Sequence, residues 1–498
     1  MRKLLRGSLF LSLAIWMFVA CGASPTSAST AGARQLGNVG RWLTDASGRV
    51  VLMHGINMVY KLPPYYPAAA GFGASDAAFL QSIGFTVVRV GVIWKAVERE
   101  PGVYDNAYLN QIEATVRTLG QHGIVSILDF HQDQLNEQFG GEGFPDWAVQ
   151  DDGLPNPKTA FPAGYTSNTA LQRAYDNFWA DKPGPDGIGL QEYYAAAWKH
   201  LAQHFAGNRF VLGYELFNEP FPGTDYPQCF EGSCPSSDAQ LTKFYAKVAQ
   251  AIRSVNSRTL IFYEPYVLFN YGVQDGVGPL PVRNAVFAWH NYCLSTSPCS
   301  SNTTDFQNAE QHIKSDGEAD FLTEFGAGSY SDNELIVSLA DQNMVSWSNW
   351  SYCTCGDPTG NANEGIVENP REPKTGSNLV MPDLDSIVEP YPHVVAGTPH
   401  SYEFTRQSKT FSLSYSTTEA AGMGTFPAGS ITEIETPKHV YSSGYGAHVN
   451  GGAIVSTKNA SILEIASCPG ATHVTITVAP GNGASESCRP HDHVSGRG

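Results

Sequence analysis

Phe210-Val211-Leu212-Gly213-Tyr214-Glu215-Leu216-Phe217-Asn218-Glu219-Pro220 is an apolar run that stops on two polar residues and a proline. Its composition predicts a buried strand over 210–217. The proline, with no N–H to offer a ladder, ends the pairing and leaves Glu219 at the strand's mouth. Outward from it, short apolar runs recur with amphipathic stretches between them. Strands are predicted at Val51–Asn57, Thr86–Val92 and Ile124–Phe130 before it. After it come Leu260–Tyr263, Ala285–Trp289, Asp320–Phe325 and Met344–Trp350. Helical patterns fall at Ser75–Ile83, Tyr108–Gly120, Leu190–Phe205, Ser237–Val255 and Asp332–Gln342. Eight strands alternating with helices predict an α/β fold, a closed (β/α)8 barrel.

After Trp350 the texture changes. Cys353–Leu379 is rich in Gly, Asn, Pro and Glu, like a linker or an extended loop. Short alternating runs follow at Ser401–Thr405, Thr410–Tyr415, Ser430–Ile434, His448–Val455 and His473–Val478, predicting an antiparallel β-sandwich. The organisation expected is a targeting segment over 1–30, a barrel over 31–384 and a sandwich over 385–498. The sandwich is expected to support the barrel structurally.

Composition narrows the function. The 498 residues carry a formal net charge of −17, which excludes the electrostatic footprint of nucleic-acid binding and of basic-patch docking on anionic membranes. Arg2, Lys3 and Arg6 precede the apolar run Leu9–Val19, which is too short to span a bilayer in a mature protein. Phe18-Val19-Ala20-Cys21 resembles a bacterial lipobox, departing from it at Phe18. Cleavage in the following Ser/Ala/Thr stretch is the alternative. Either way the chain is expected to be secreted, or anchored as a lipoprotein, outside a bacterial membrane. Besides Cys21, the cysteines fall in close pairs: Cys229/Cys234, Cys293/Cys299, Cys353/Cys355 and Cys468/Cys488. In an exported protein such pairs read as loop-pinning disulfides, the tight Cys353/Cys355 ring being the least expected of them. No histidine spacing beside them matches a zinc site.

The chemistry lies at strand ends. The seventh strand ends in Leu322-Thr323-Glu324-Phe325-Gly326, so Glu219 and Glu324 emerge at the same end of the barrel, three strands apart. Two carboxyl groups across a glycosidic bond are what its hydrolysis needs, one as acid/base and one as nucleophile. Asn218 is placed to bond a sugar 2-hydroxyl. Arg89 is expected to hold Glu324 ionised by charge and hydrogen bonding. Asp129 and His131 share a strand face, His290 and Tyr292 repeat that spacing, and all four are expected to bind substrate. Trp350 offers an indole face to a sugar ring. The long link His131–Gly189 predicts a lid or binding wall.

With these residues in place, the chain resembles glycoside hydrolase family five. Asn218-Glu219-Pro220, Glu324, Arg89, His131, His290, Tyr292 and Trp350 carry the likeness. Gly55-Ile56-Asn57-Met58-Val59-Tyr60-Lys61, Asp129-Phe130-His131-Gln132-Asp133, Gly143-Phe144-Pro145-Asp146-Trp147 and Trp347-x-x-Trp350-x-Tyr352-Cys353 are similar to the endoglycoceramidases within it. The resemblance implies a retaining endo-glycosidase that cleaves between the oligosaccharide and ceramide of a glycosphingolipid. Glu219 would be acid/base and Glu324 nucleophile, with Lys61, Asp133, Asn218 and Trp350 at the first sugar. It implies no cofactor and no metal, a monomer, and transient contact with a membrane or micelle. Tyr65-Tyr66, Phe144, Trp147 and Tyr263–Phe269 are candidates for an apolar ceramide groove. Two alternatives are a relative acting on galactosyl-type glycolipids, simple glucosides or β-glucan, and a non-catalytic glycolipid-binding lipoprotein.

Overall fold

The computed structural model describes residues 36–232, 234–292, 301–326, 330–361 and 364–489. The expected signal segment, Cys21 and the Cys293/Cys299 pair lie outside them.

Eight parallel strands close into a barrel: His54–Met58, Val87–Val92, Val125–Phe130, Val211–Glu215, Leu260–Tyr263, Ala285–Tyr292, Ala319–Gly326 and Ser346–Asn349. The eighth returns to the first through Trp347 opposite His54. Val87, Val88, Val90 and Val92 are all buried, as strands need when helices cover one face and the barrel interior fills the other. Leu212, Phe262, Val286, Phe321 and their neighbours fill the lower interior, so the barrel is a packed core. In the fourth strand Gly213 is required by this packing, because a Cβ there would collide with the Phe262 ring. The helices Asn106–Gln121, Leu190–His204 and Pro235–Arg253 lie on the outside, and the Asp105 side chain caps the first by accepting from the Tyr108 N–H at 2.9 Å.

The C-terminal region forms two sheets. Thr398–Thr405, Thr410–Ser416, His473–Pro480 and Tyr445–Asn450 pair antiparallel, with Ala484–Ser485 at the edge. The other sheet has seven strands, and three of them, Gly37–Val39, Trp42–Thr44 and Val50–Val51, come from the start of the described chain. Val51 pairs with Val394. The strand predicted over Val51–Asn57 is therefore two strands in two sheets. Their apolar runs abut in sequence, so hydrophobicity alone does not divide them. At the junction His54 stacks between Trp347 and Tyr391, with ring centroids at 4.2 and 3.7 Å. Tyr391 also bonds Thr86 across it, at 2.9 Å.

Among the described residues, three disulfides close Cys229–Cys234, Cys353–Cys355 and Cys468–Cys488. No helix among the described residues is long and apolar enough to cross a membrane.

Candidate active site

A cavity of about 630 Å³ opens at the C-terminal ends of the barrel strands. At its floor are Glu219, Glu324, Asn218, Tyr292, His131, Asp133, Lys61 and Trp350. Asp129 and His290, expected to bind substrate, do not line the cavity: with Arg89 they lie behind it and orient the residues that do.

Glu324 owes its aim to a bulge. Its strand pairs Leu322 with Trp289 and then Glu324 with His290, so Thr323 is an extra residue in the register. Phe321 points into the barrel interior, and strict alternation would turn Thr323 inward next. The bulge turns Glu324 there instead. Arg89 donates to Glu324 Oε1, and the Tyr292 hydroxyl donates to Oε2 at 2.7 Å. Burial pushes the Glu324 carboxyl above its usual pKa, with His290, Arg89 and His131 opposing. Arg89 acts in the expected direction, favouring the ionised form, but burial outweighs it. The guanidinium is shared among acidic side chains: it also meets Glu215 at 2.6 Å, Asp129 at 3.1 Å and Glu264 at 3.5 Å. Its remaining reach goes to Asn57 Oδ1 at 3.1 Å and Asn218 Oδ1 at 2.8 Å. A single charge shared with Glu215 and Asp129 does not offset the burial of Glu324.

Glu219 sits on the turn after the fourth strand with φ +42°, in the left-handed region. Its Oε1 accepts from Asn270 Nδ2 at 3.0 Å and lies 2.9 Å from His290 Nδ1. Burial first, then the charge of Asp133, pushes its carboxyl up to about 7. His290 is driven down to about 4 by burial, against the pull of Glu324, so its ring is neutral near pH 7. Carboxylate oxygens of Glu219 and Glu324 and a ring nitrogen of His290 all fall within 4.8 Å of one another. A protonated acid and an ionisable carboxylate at this separation can serve a double displacement. The roughly 6.5–9.5 Å of inverting sites would leave room for a water between them.

A second cluster shares this floor. Lys61 Nζ meets Asp133 Oδ2 at 2.6 Å, Thr359 Oγ1 at 2.7 Å and Asp357 Oδ2 at 3.0 Å, and lies 4.4 Å from the Trp350 ring centre. Burial disfavours its charge, yet Asp133, Asp357 and Glu142 hold the ammonium well above its usual pKa. The Asp133 carboxyl, against its own burial, is held low by Lys61 and His131. His131 stacks on Trp350 and bonds Asp129 at 2.7 Å. Burial opposes its cation, but Asp129 and Asp133 lift it to about 10. Ligand-type atoms converge in Glu219/His290/Glu324, Glu215/Glu264/His290 and His131/Asp133/Glu142. In each neighbourhood a protein cation, Arg89 or Lys61, already counters the acids.

Several contributors escaped the sequence reading. Asp357, Thr359 and Glu364, which accepts from Trp350 Nε1 at 2.9 Å, lie in Cys353–Leu379. That segment is a wall of the site and not a linker. Its signal was the run of polar residues following Trp350 across a Cys-x-Cys ring. Glu264 follows the fifth strand in Tyr263-Glu264-Pro265, the same Glu-Pro grammar as Glu219. Asn270 and Glu142 left no sequence signal. The expected ceramide groove is kept only in part: Val267 and Leu268 of Tyr263–Phe269 line the cavity. Tyr65, Phe144 and Tyr263 are core residues, and Trp147 packs on Trp94 and Tyr193. The apolar side of the cavity is Phe161, Pro162, Ala163 and Tyr165 from the long link, with Phe221, Tyr226, Phe230, Val267, Leu268 and Tyr271.

Residues 44–356 match the model of the Cellulase (glycosyl hydrolase family 5) family, and residues 390–478 that of the glycoside hydrolase family 5 C-terminal domain. The chain is 29% identical over 471 residues to Endoglycoceramidase I of Rhodococcus hoagii, covering 90% of this chain and 89% of that one. It is 30% identical over 444 residues to Endoglycoceramidase of Cyanea nozakii, covering 82% and 85%. Among solved structures it resembles Endo-glycoceramidase II from Rhodococcus sp. as a lactosyl-enzyme intermediate, with a TM-score of 0.72, 26% identity, and coverage of 88% of this chain and 99% of that one. The ganglioside GM3 complex of the same protein matches with a TM-score of 0.71, 25% identity and the same coverage.

Proposed function

The chain belongs to glycosyl hydrolase family 5, and on that footing we propose that it hydrolyses the β-glycosidic bond joining oligosaccharide to ceramide in glycosphingolipids, with retention. Intact glycan and intact ceramide are the products. The observation that carries the reading is the asymmetric cavity: a charged, hydrogen-bonding floor around two close carboxyls, continuous with an apolar side sized for hydrocarbon.

In this reading Glu219, protonated near neutral pH, gives its proton to the glycosidic oxygen as the ceramide hydroxyl leaves. Glu324 attacks the anomeric carbon and forms a glycosyl ester. Glu219, now ionised, takes a proton from water, which attacks the same carbon and releases the glycan and Glu324. The lactosyl-enzyme intermediate of the Rhodococcus relative supports this route. Asn218, Lys61, Asp133 and His131 bind hydroxyls of the first sugar, whose ring lies on Trp350, and Asp129, Arg89 and His290 orient that set.

Phe230 and Tyr271 pack on one another with ring centroids at 5.6 Å and remain 52% and 43% exposed at the apolar rim. In our reading this rim meets the surface of the membrane or micelle that presents the substrate. All the site residues come from one chain, so a monomer suffices. The three disulfides favour action outside the cell.

The test is hydrolysis of lactosylceramide in mild detergent by the native chain and by Glu324→Gln. Release of lactose and ceramide by the native chain alone is expected. Cleavage of an aryl β-lactoside without any cleavage of lactosylceramide would remove ceramide from the function.

A further inference from the structure

Glu264 is buried, lies outside the cavity wall, and touches three parts of the site at once. Its Oε2 accepts the backbone N–H of Glu219 at 3.1 Å and lies 3.4 Å from His290 Nε2. Its Oε1 lies 3.5 Å from Arg89. The residue is itself well anchored. Pro265 ends the strand behind it, and the Tyr245 hydroxyl donates to its carbonyl at 2.9 Å.

What needs holding is the backbone of Glu219. A non-glycine residue at φ +42° is in a strained conformation that persists only when its surroundings over-determine it. Two backbone contacts do this. The carbonyl accepts from Gln132 Nε2 at 3.1 Å, and the N–H is taken by Glu264. The side chain is steered from two directions, by Asn270 and by His290, and the far nitrogen of His290 again faces Glu264. Glu264 thus stands behind both the backbone and one side-chain contact of Glu219.

We propose that Glu264 is a positioning residue for the proton-donating step, fixing the left-handed backbone at Glu219 and the His290 ring so that the Glu219 carboxyl is held at the leaving-group oxygen. The inference rests on the reading of Glu219 as acid/base. A carboxylic acid, not a carboxylate, suits the role. Glu264 and Glu215 face one another, and Arg89 is paired with Glu215 at 2.6 Å. Burial and the charge of Glu215 push the Glu264 carboxyl well up, while Glu215, against its own burial, is held low by Arg89. The proton of the pair therefore sits on Glu264. A glutamine in its place keeps an oxygen for the Glu219 N–H and an N–H for Glu215.

The experiment compares kcat/KM on two substrates sharing one glycan: lactosylceramide, whose alkoxide leaving group needs a proton, and 2,4-dinitrophenyl β-lactoside, whose leaving group does not. The ratio of the two within one preparation is independent of how much enzyme is folded. For Glu264→Ala the lactosylceramide rate should fall about 30- to 100-fold and the dinitrophenyl rate far less, so the ratio drops at least about tenfold. Glu264→Gln should restore the native ratio. Equal losses on both substrates in Glu264→Ala would overturn the proposal, because a merely structural role lowers both together. Failure of Glu264→Gln to restore the ratio would overturn it too. If the native chain cleaves the dinitrophenyl lactoside but not lactosylceramide, the ceramide reading falls. A methyl β-lactoside, equally in need of a proton, then takes its place in the same ratio.

Discussion

Replacing Tyr292 by phenylalanine removes one oxygen and one hydrogen bond from the nucleophile, the 2.7 Å bond from the phenol to Glu324 Oε2. That bond is made to the charged form of the carboxyl, so its loss disfavours ionisation and raises the Glu324 pKa. A hydrogen bond to an ionised group is worth about 1.5–3 kcal/mol, and one pKa unit corresponds to about 1.4 kcal/mol, giving a shift of roughly one to two units. The lower figure is expected, because Arg89 still donates to Oε1 and His290 Nδ1 remains 3.6 Å from Oε2. Glu324 already starts above the ordinary carboxylate range through burial. The upward shift carries it toward Glu219, whose carboxyl titrates at about 7. Catalysis needs Glu219 protonated and Glu324 ionised, so the window between the two narrows from its acid side. The assay is kcat/KM against pH for a soluble aryl β-lactoside, which reports the free enzyme's ionisations without micelle effects. The variant's acid limb should move up by about one unit, its alkaline limb should stay in place, and its maximum should fall. An unmoved acid limb would refute the assignment of Glu324 as the ionising nucleophile steadied by Tyr292. An alkaline limb that moved in its place would mean the two glutamates have exchanged roles.

Other outcomes follow from the same geometry. The native profile should lose activity as pH rises through about 7, where Glu219 gives up its proton. In Glu219→Gln the alkaline limb should vanish, with about a 10²- to 10⁴-fold loss on lactosylceramide and a much smaller one on the dinitrophenyl lactoside, both read as kcat/KM. Lys61→Met strands Asp133 and Asp357, which lose the ammonium at 2.6 and 3.0 Å. It should lower kcat/KM on lactosides by at least about tenfold, the cost of leaving buried charges unpaired, and a melting curve should register the same loss. The double variant Phe230→Asp, Tyr271→Ser should slow hydrolysis of lactosylceramide in phosphatidylcholine vesicles much more than hydrolysis of a soluble aryl lactoside. Equal effects on the two would argue against lipid contact at this rim.

The barrel was legible because its strands are apolar on both faces and separated by amphipathic helices. The strand predicted over 124–130 is observed at Val125–Phe130, and that over 260–263 at Leu260–Tyr263. What misled was adjacency without separation. Val50–Val51 and His54–Met58 read as one run, yet one completes a sheet with residues more than 300 positions away and the other opens the barrel. Cys353–Leu379 looked like a tether because Gly, Asn and Pro dominate it. Its role comes from where it lands, with Asp357 and Thr359 on a lysine nearly 300 residues earlier.

The limit of the sequence is sharpest at the two Glu-Pro strand ends. Asn218-Glu219-Pro220 and Tyr263-Glu264-Pro265 have the same local grammar, both acids are buried, and both carboxyls are pushed up. One opens on the cavity and the other stands behind it. The difference comes from neighbours that no local pattern reveals. Glu219 is turned outward by a left-handed residue and taken up by Asn270 and His290. Glu264 faces Glu215 and Arg89, and its proton is committed there. The bulge at Thr323 makes the same point for Glu324, since alternation alone would have aimed the wrong residue inward. Strand ends announce which acids are candidates. The backbone irregularities at Glu219 and Thr323, which residue patterns do not encode, decide which of them face a substrate.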